Sequence, residues 1–547
     1  LKIRNGNDEK YEFLGQVGFN GFELGAEGPI VKSKGSSFLA NYRYSTLGVF
    51  DALGISFGFV GIPQYQDLSF KVNAPNSPIG NISFFGIGGI SKINMLEKDR
   101  EEGEFTINGT GEDLLNATDM GVVGLTHRYL INDHSFTNFT ISTTALRSRT
   151  TIEAVDSLFQ KQHVNYNANF LQQRTAAKLI YQSKVSPRFT FKTGVAANYI
   201  FTNMVDSFRR DDETYQTLRD TDGSAILSQL FGQFKYKLSP KWTTVGGLYS
   251  QHLALNNSIS VEPRLAFQYQ INNAQRLNMA YGRHAQIQPF AIYFSQTRLP
   301  DGSYAENNKD LDFTYSDQFV LGYDWSVSKN WRIKSELYYQ RLSNVPVLKD
   351  ESSFSLLNFG ADFGNPSIDS LVNEGIGQNY GLEFTLEKFY SNNSYLLLTT
   401  SIFESKYRGS DDKWYNTAFN SNYVLNVLYG YSLKIGKNNF LSFDIKAALA
   451  GGRRYTPVNE AASQAAGELV YLEDQAFENQ FKAYFRPDIQ ISFRNNNKGY
   501  SQMWAVSIEN FINRENVFQQ VYDPATNQLN TEYQLGLFPV FLYKIEF

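Results

Sequence analysis

The 547-residue chain contains no cysteine. That removes disulfides, thiolate metal centres and cysteine nucleophiles together, so a metal would need histidine, carboxylate or carbonyl ligands. A charge excess is also missing: 50 Lys+Arg stand against 54 Asp+Glu, a formal net charge of −4, which excludes the basic footprint that a nucleic-acid backbone demands. No run approaches the roughly 18 to 20 apolar residues of a membrane-spanning helix, and the opening Leu1-Lys2-Ile3-Arg4-Asn5 has none of the features of a signal peptide. Tryptophan is scarce, at 5 residues, yet 44 Phe and 34 Tyr raise the aromatic share to 15% while hydrophobic content stays at 42%. Mean hydropathy is −0.36. A chain this hydrophilic on average can meet a bilayer only as a closed barrel, because lipid leaves strand backbones no other way to satisfy their N–H and C=O groups.

What is present is alternation with a period near two. Trp331, Ile333, Leu337 and Tyr339 alternate with Arg332, Lys334, Glu336 and Gln340; Tyr380, Leu382, Phe384 and Leu386 alternate with Gly381, Glu383, Thr385 and Glu387. Phe234, Tyr236 and Leu238 do the same against Gln233, Lys235 and Lys237. At the end of the chain Tyr533, Leu535, Leu537, Pro539, Phe541, Tyr543, Ile545 and Phe547 share one face. Tyr533 and Tyr543 are ten residues apart, about 25 Å along a barrel axis at ~3.3 Å rise and ~40° tilt, which is the height of an apolar band between two aromatic girdles. The opposite face is charged, which suits a wet or plugged bore and not the dry interior of a soluble barrel.

Twenty-two such runs can be placed between 11–18 and 531–547, an even number as a bacterial single-chain barrel requires. Tight turns fall at 184–187, 239–240, 272–273, 391–393, 436–438 and 496–499, and longer connections at 91–119, 206–222, 285–312, 343–377 and 451–480. In this architecture short turns face the periplasm and long loops face outside, which sets both chain ends on the periplasmic side. The fold expected is therefore an all-β, transmembrane, antiparallel barrel of about 22 strands. A string of soluble sandwiches or a propeller would also alternate, but would leave the girdle spacing unexplained, and no repeat of blade length stands out.

Several segments resemble the barrel domain of TonB-dependent outer-membrane receptors, in the form common among Bacteroidota. Leu1-Lys2-Ile3-Arg4-Asn5-Gly6-Asn7 resembles the last plug strand entering the barrel, and Glu27-Gly28-Pro29-Ile30 the first periplasmic turn. Glu262-Pro263-Arg264-Leu265 with Tyr281-Gly282-Arg283-His284 resembles a mid-barrel hairpin, and Asn510-Phe511-Ile512-Asn513-Arg514-Glu515-Asn516-Val517 the close of the penultimate strand. The terminal aromatic, Phe547, matches the signal read by the barrel-assembly machinery. The resemblance implies that residues 1–10 end a plug domain or its linker, that 11–547 form the barrel, and that the plug lies outside this sequence. It further implies residence in the bacterial outer membrane and uptake of a nutrient energised by TonB–ExbB–ExbD pulling on that plug. A surface lipoprotein is a further partner to consider. The runner-up function is a passive porin-like channel, or a scaffold barrel in a multi-protein outer-membrane assembly.

No catalytic constellation is visible: the five histidines, His127, His134, His163, His252 and His284, are scattered over different expected strands and loops, and no HExxH, GxSxG or GxxxxGKS occurs. No cofactor or metal is expected. Asp220-Thr221-Asp222-Gly223 has half of a calcium loop but lacks the later ligands and the bidentate Glu, so it reads first as a solvated turn; Glu101, Glu102 and Glu104 read as a solvated acidic loop. Two clusters suit ligand capture. Arg453-Arg454-Tyr455 follows Gly451-Gly452 at an outer strand end, and its paired guanidiniums fit carboxylate or phosphate, or else pair with lumen or plug carboxylates. Arg283, His284, Gln286 and Gln288 occupy another outer end, with Phe290, Tyr293 and Phe294 beyond, either stacking on a ligand ring or folding the loop on itself. Arg332, Lys334, Glu336, Glu383 and Glu387 form a lumen charge lattice, read first as cross-strand pairing and second as contact to a plug.

Overall fold

The computed structural model describes residues 3–19, 21–45, 47–48, 61–99, 111–210, 213–360, 368–466, 469–523 and 528–547. Twenty-two strands of these residues join edge to edge in one antiparallel sheet that closes on itself, the first, Glu12–Gly18, pairing with the last, Phe538–Glu546. Closure is sealed at the chain end, where Phe547 N–H donates to Phe13 O at 2.9 Å and Phe13 N–H to Phe547 O at 3.3 Å. Such a sheet has no edge, so each wall residue spends its backbone groups on a neighbour, as hydrocarbon surroundings require.

The alternation falls as the sequence leads one to expect. Across four consecutive strands Met279, Leu321, Leu337 and Leu382 stand opposite one another and are all exposed, as are Phe319, Tyr339 and Tyr380 in the next row. The intervening residues Arg332, Lys334, Glu336, Glu383 and Glu387 face the bore. Ten turns of two to four residues lie at one end of the barrel together with both chain ends; at the other lie the longer connections, with short ones only at 19–20 and 254–257.

Three expectations about strand limits need correction. Residues 91–119 and 206–222 are in part strand: Gly80–Met95 and Glu112–Asn132 run into the first, Phe189–Arg209 and Tyr215–Lys237 into the second, and Ser135–Val155 and Lys161–Lys184 between them are as long. The 24-residue strand rises roughly 60 Å against a belt of about 25 Å, so this side of the wall stands well clear of the membrane. The final run also divides. Gln528–Tyr533 pairs with Val517–Asp523 in a separate outer hairpin, and only Phe538–Glu546 belongs to the barrel, so Tyr533 is no girdle residue. The asparagine motif explains the break: Asn513 Oδ1 accepts from Leu537 N–H at 2.8 Å, and buried Asn510 donates to the carbonyls of Arg514 and Leu535. Finally, Asp220-Thr221-Asp222-Gly223 is neither turn nor calcium loop but mid-strand, with Asp220 opposite Val205 and Asp222 opposite Asn203. Glu101, Glu102 and Glu104 lie outside the described residues.

Inside the lower wall, the N-terminal segment crosses three strands. Arg4 pairs with Glu27, whose carboxylate also accepts from Asn7 N–H at 2.8 Å, and Lys71 Nζ donates to Ile3 O at 2.9 Å. Gly6 is needed at the crossing, since a Cβ there would overlap the Phe38 carbonyl.

Candidate functional site

Among the described residues, two parts of the outer mouth stand out. One side is capped. Loop 287–313 turns inward through a single helical turn, Phe290–Tyr293, and packs Phe290, Ile292, Tyr293 and Phe294 against Ile200, Met204, Leu227 and Leu253 on the inner face of the tall wall. Each of those loop side chains is at most 4% exposed, and full burial of side chains this size stabilises by roughly 1.5–3 kcal/mol apiece. Gly223 leaves room for the Phe294 ring, which a Cβ would overlap. Polar groups lock the cap further. Buried Asn308 donates to the carbonyls of Ile292 and Ile368 and accepts from Leu371 N–H; Thr221 donates to Glu306 at 3.2 Å. Nearer the outer end of the same two strands Arg219 and Asp206 pair at 2.5 Å, 4% and 0% exposed, with Tyr166 Oη donating to the same carboxylate. The aromatics after Gln288 thus fold the loop on itself, and Gln288 belongs to that packing: its amide donates to Asp312 O and Thr314 Oγ1.

Beside the cap lies an open cleft of about 500 Å³, bounded by segments 353–360, 453–481 and 519–520. Its walls are aromatic, with Phe354, Tyr407, Tyr455, Tyr471, Phe477 and Phe481, and it holds Arg453, Arg454 and Glu473. Tyr455 stacks on Phe481 with centroids 4.1 Å apart and planes at 15°. The short ladder Arg454–Tyr455 against Asn479–Gln480 holds that pair in place. The two adjacent arginines differ. Arg454 spends its guanidinium on Asn420 O, Glu478 O and Asn422 Oδ1 at 2.9–3.1 Å, and burial holds its pKa below the usual arginine value. It is a loop staple. Arg453 and Tyr455 line the cleft.

The remaining expected site residues disperse. Strand parity turns His284 toward the bore but Arg283 outward: Arg283 is two positions from Tyr281 and four from exposed Met279 on the same strand, Gln275–Gln286. Arg283 is therefore no lumen ligand, and grouping it with its neighbour ignored the two-residue period. Gln286 is exposed at the strand end. The charged bore residues pair differently from the simplest cross-strand pattern. Arg332 pairs with Asp324 at 2.6 Å and lies 3.8 Å from Glu387; Asp324 also takes Arg276 at 2.7 Å, while Lys334 pairs with Glu336 on its own strand at 2.5 Å. Glu383 stands opposite Glu336 and makes no ion pair among the described residues. A second lattice, Arg486 with Asp488 and Glu509, escaped sequence reading; the alternation of Arg486, Asp488 and Gln490 with Phe485, Pro487 and Ile489 was its available signal.

A closed wall of this girth, with a polar bore, an inward-folded outer cap and a segment lying inside its lower rim, defines a large outer-membrane receptor barrel. Barrels of about 22 strands have plugged bores, whereas open porins have about 16 to 18. The chain belongs to the family described as TonB dependent receptor-like, beta-barrel, which matches residues 40–513. It is accordingly a protein of the Gram-negative outer membrane. Among solved structures it resembles the ferric-catecholate import receptor Fiu of K12 E. coli, with TM-score 0.72 and 9% identity over 99% of this chain and 82% of that one. It also resembles the ferric yersiniabactin uptake receptor FyuA of Yersinia pestis, with TM-score 0.69 and 10% identity over 100% and 81%. The copper transporter OprC gives TM-score 0.65 and 10% identity over 98% and 80%. At these identities the likeness is one of fold. Comparison with curated protein sequences finds no match.

The cap carries its own pH dependence. Burial pushes the Tyr293 phenol from 10.0 up to about 12, so the folded cap resists the phenolate that the unfolded loop would accept. Cap stability from this group is complete below pH 10 and falls as pH rises toward about 12. Limited proteolysis within 287–313 should accelerate across that window, and Tyr293→Phe should flatten the response. Equal acceleration in the variant would remove Tyr293 from the account.

Proposed function

We propose that this barrel is the translocation domain of an energised nutrient receptor whose ligand docks in the aromatic cleft at 353–360, 453–481 and 519–520. The observation that carries the reading is the coincidence there of an open cavity, a stacked aromatic pair and Arg453, beside the packed cap. Aromatic faces suit a ring-bearing or sugar-like ligand, and a guanidinium suits its carboxylate or phosphate. No covalent step is invoked; binding and gated passage suffice.

Residues 1–10 are the end of a plug domain or its linker in this reading. The path of Ile3 to Asn7 across the inner wall, tied by Glu27 and Lys71, supports that reading. The lattice of Arg332, Lys334, Glu336, Glu383 and Glu387 then faces the plug, with Glu383 the carboxylate most available to it. TonB–ExbB–ExbD would pull on that plug from the inner membrane. The barrel-assembly machinery would read Phe547, and a surface lipoprotein could sit over the cleft. A Bacteroidota source fits the sequence resemblance.

In cells where this receptor is the sole route for a growth-limiting nutrient, Arg453→Ala or Tyr455→Ala should raise the half-saturating nutrient concentration. Loss of one charged hydrogen bond predicts about ten- to a hundredfold. Arg454→Ala should instead increase protease cleavage within 451–483. Unchanged growth for the first two variants would defeat the cleft as the docking site. Phe547→Ala should lower the amount of heat-modifiable barrel in outer membranes, and wild-type amounts would dismiss the assembly role.

A further inference from the structure

Parity carries Arg283 onto the outer surface, into a row that ligand uptake leaves unused. Straight across five strands the register sets Arg283 opposite Asp317, Asp317 opposite Arg341, Arg341 opposite Gln378, and Gln378 opposite Lys406. No bulge interrupts these stretches. The first four lie two positions from Tyr281, Phe319, Tyr339 and Tyr380, and four from Met279, Leu321, Leu337 and Leu382, the exposed lipid-facing belt. The row therefore faces outward on the long-loop side of the aromatic girdle. Its height agrees: Arg341 is ten residues above Trp331, where its strand begins, or about 25 Å of belt. That is headgroup level in the outer leaflet.

Three of the five side chains are cations, and their charge is incompletely answered. Asp317, the one carboxylate of the row, accepts from Tyr281 Oη at 2.8 Å, while Arg283 Nε stays 4.0 Å away and makes no hydrogen bond although it is buried. The Arg283 guanidinium lies 4.5 Å over the Tyr315 ring, a rigid seat for it. Arg341 is exposed and makes no ion pair or hydrogen bond among the described residues. Lys406 reaches only Glu404 of its own strand, at 3.9 Å. Guanidiniums with unspent donors at the edge of hydrocarbon match a phosphate whose alkyl chains are anchored below it.

We propose that this row is a docking strip for the phosphate headgroup of an outer-leaflet lipid. Arg283 and Arg341 hold the phosphate oxygens on either side of Asp317, and the acyl chains lie along Met279, Leu321 and Leu337. The strip depends on the barrel's orientation in the membrane and not on the ligand cleft, so either assignment can fail alone.

The test uses the folded barrel in phosphatidylcholine nanodiscs with or without diphosphoryl lipid A, the retained lipid being counted by native mass spectrometry. At a worth of about 1 kcal/mol per surface cation, Arg283→Gln and Arg341→Gln should each reduce lipid A retention about fivefold, and the double variant further. Arg341→Lys, which keeps the charge, should retain most of it, and the bore-facing Lys235→Gln all of it. Retention in the double variant equal to wild type overturns the strip. Displacement of lipid A by excess inorganic phosphate would assign the site to free phosphate and overturn the lipid reading.

Discussion

The structure depends on one constraint: a backbone N–H or C=O facing hydrocarbon must find its partner within the protein. A chain without an apolar helix can meet that demand only by joining its first strand to its last. The reciprocal bonds between Phe13 and Phe547 complete the circle. Once the sheet is closed, the two-residue period of the strand decides everything else in the wall. Each position faces lipid or the bore, and a one-residue slip would exchange the two faces entirely.

That is why the belt was legible in the sequence and the upper works were not. Leu337 beside Glu336, or Leu382 beside Glu383, reveals the wall because lipid and water lie on opposite sides of it. Above the membrane both sides meet water or packed loops, and the contrast fades. The strands Lys161–Lys184 and Tyr215–Lys237 therefore extend well beyond the limits that alternation indicates. Phe290, Tyr293 and Phe294 were ambiguous for a related reason, since an aromatic side chain has the same composition whether it stacks on a ligand or fills a core. Only their burial against Ile200 and Leu227 separates the two. Tyr533 shows the reverse error: apolar alternation continued through a turn that Asn510 and Asn513 had already fixed.

The candidate site was half legible. Arg453-Arg454-Tyr455 lines the cleft, yet adjacent guanidiniums do different work, Arg454 binding carbonyls of neighbouring loops that sequence cannot bring together. Arg283 could have been placed correctly from parity alone, and its outward position is what exposes the row with Arg341 and Lys406. The mouth is thus asymmetric: a cap held by buried aromatics, Asn308 and the Arg219–Asp206 pair on one side, and an aromatic cleft on the other.

The absence of cysteine permits a direct test of the wall. Single cysteines introduced one at a time from 331 to 341, each carrying a nitroxide in the reconstituted barrel, can be probed with oxygen, which concentrates in lipid, and a nickel chelate, which stays in water. Oxygen accessibility should peak at 331, 333, 335, 337 and 339, and nickel accessibility at 332, 334, 336, 338 and 340. A profile without a two-residue period, or one with its phase reversed, would contradict the account.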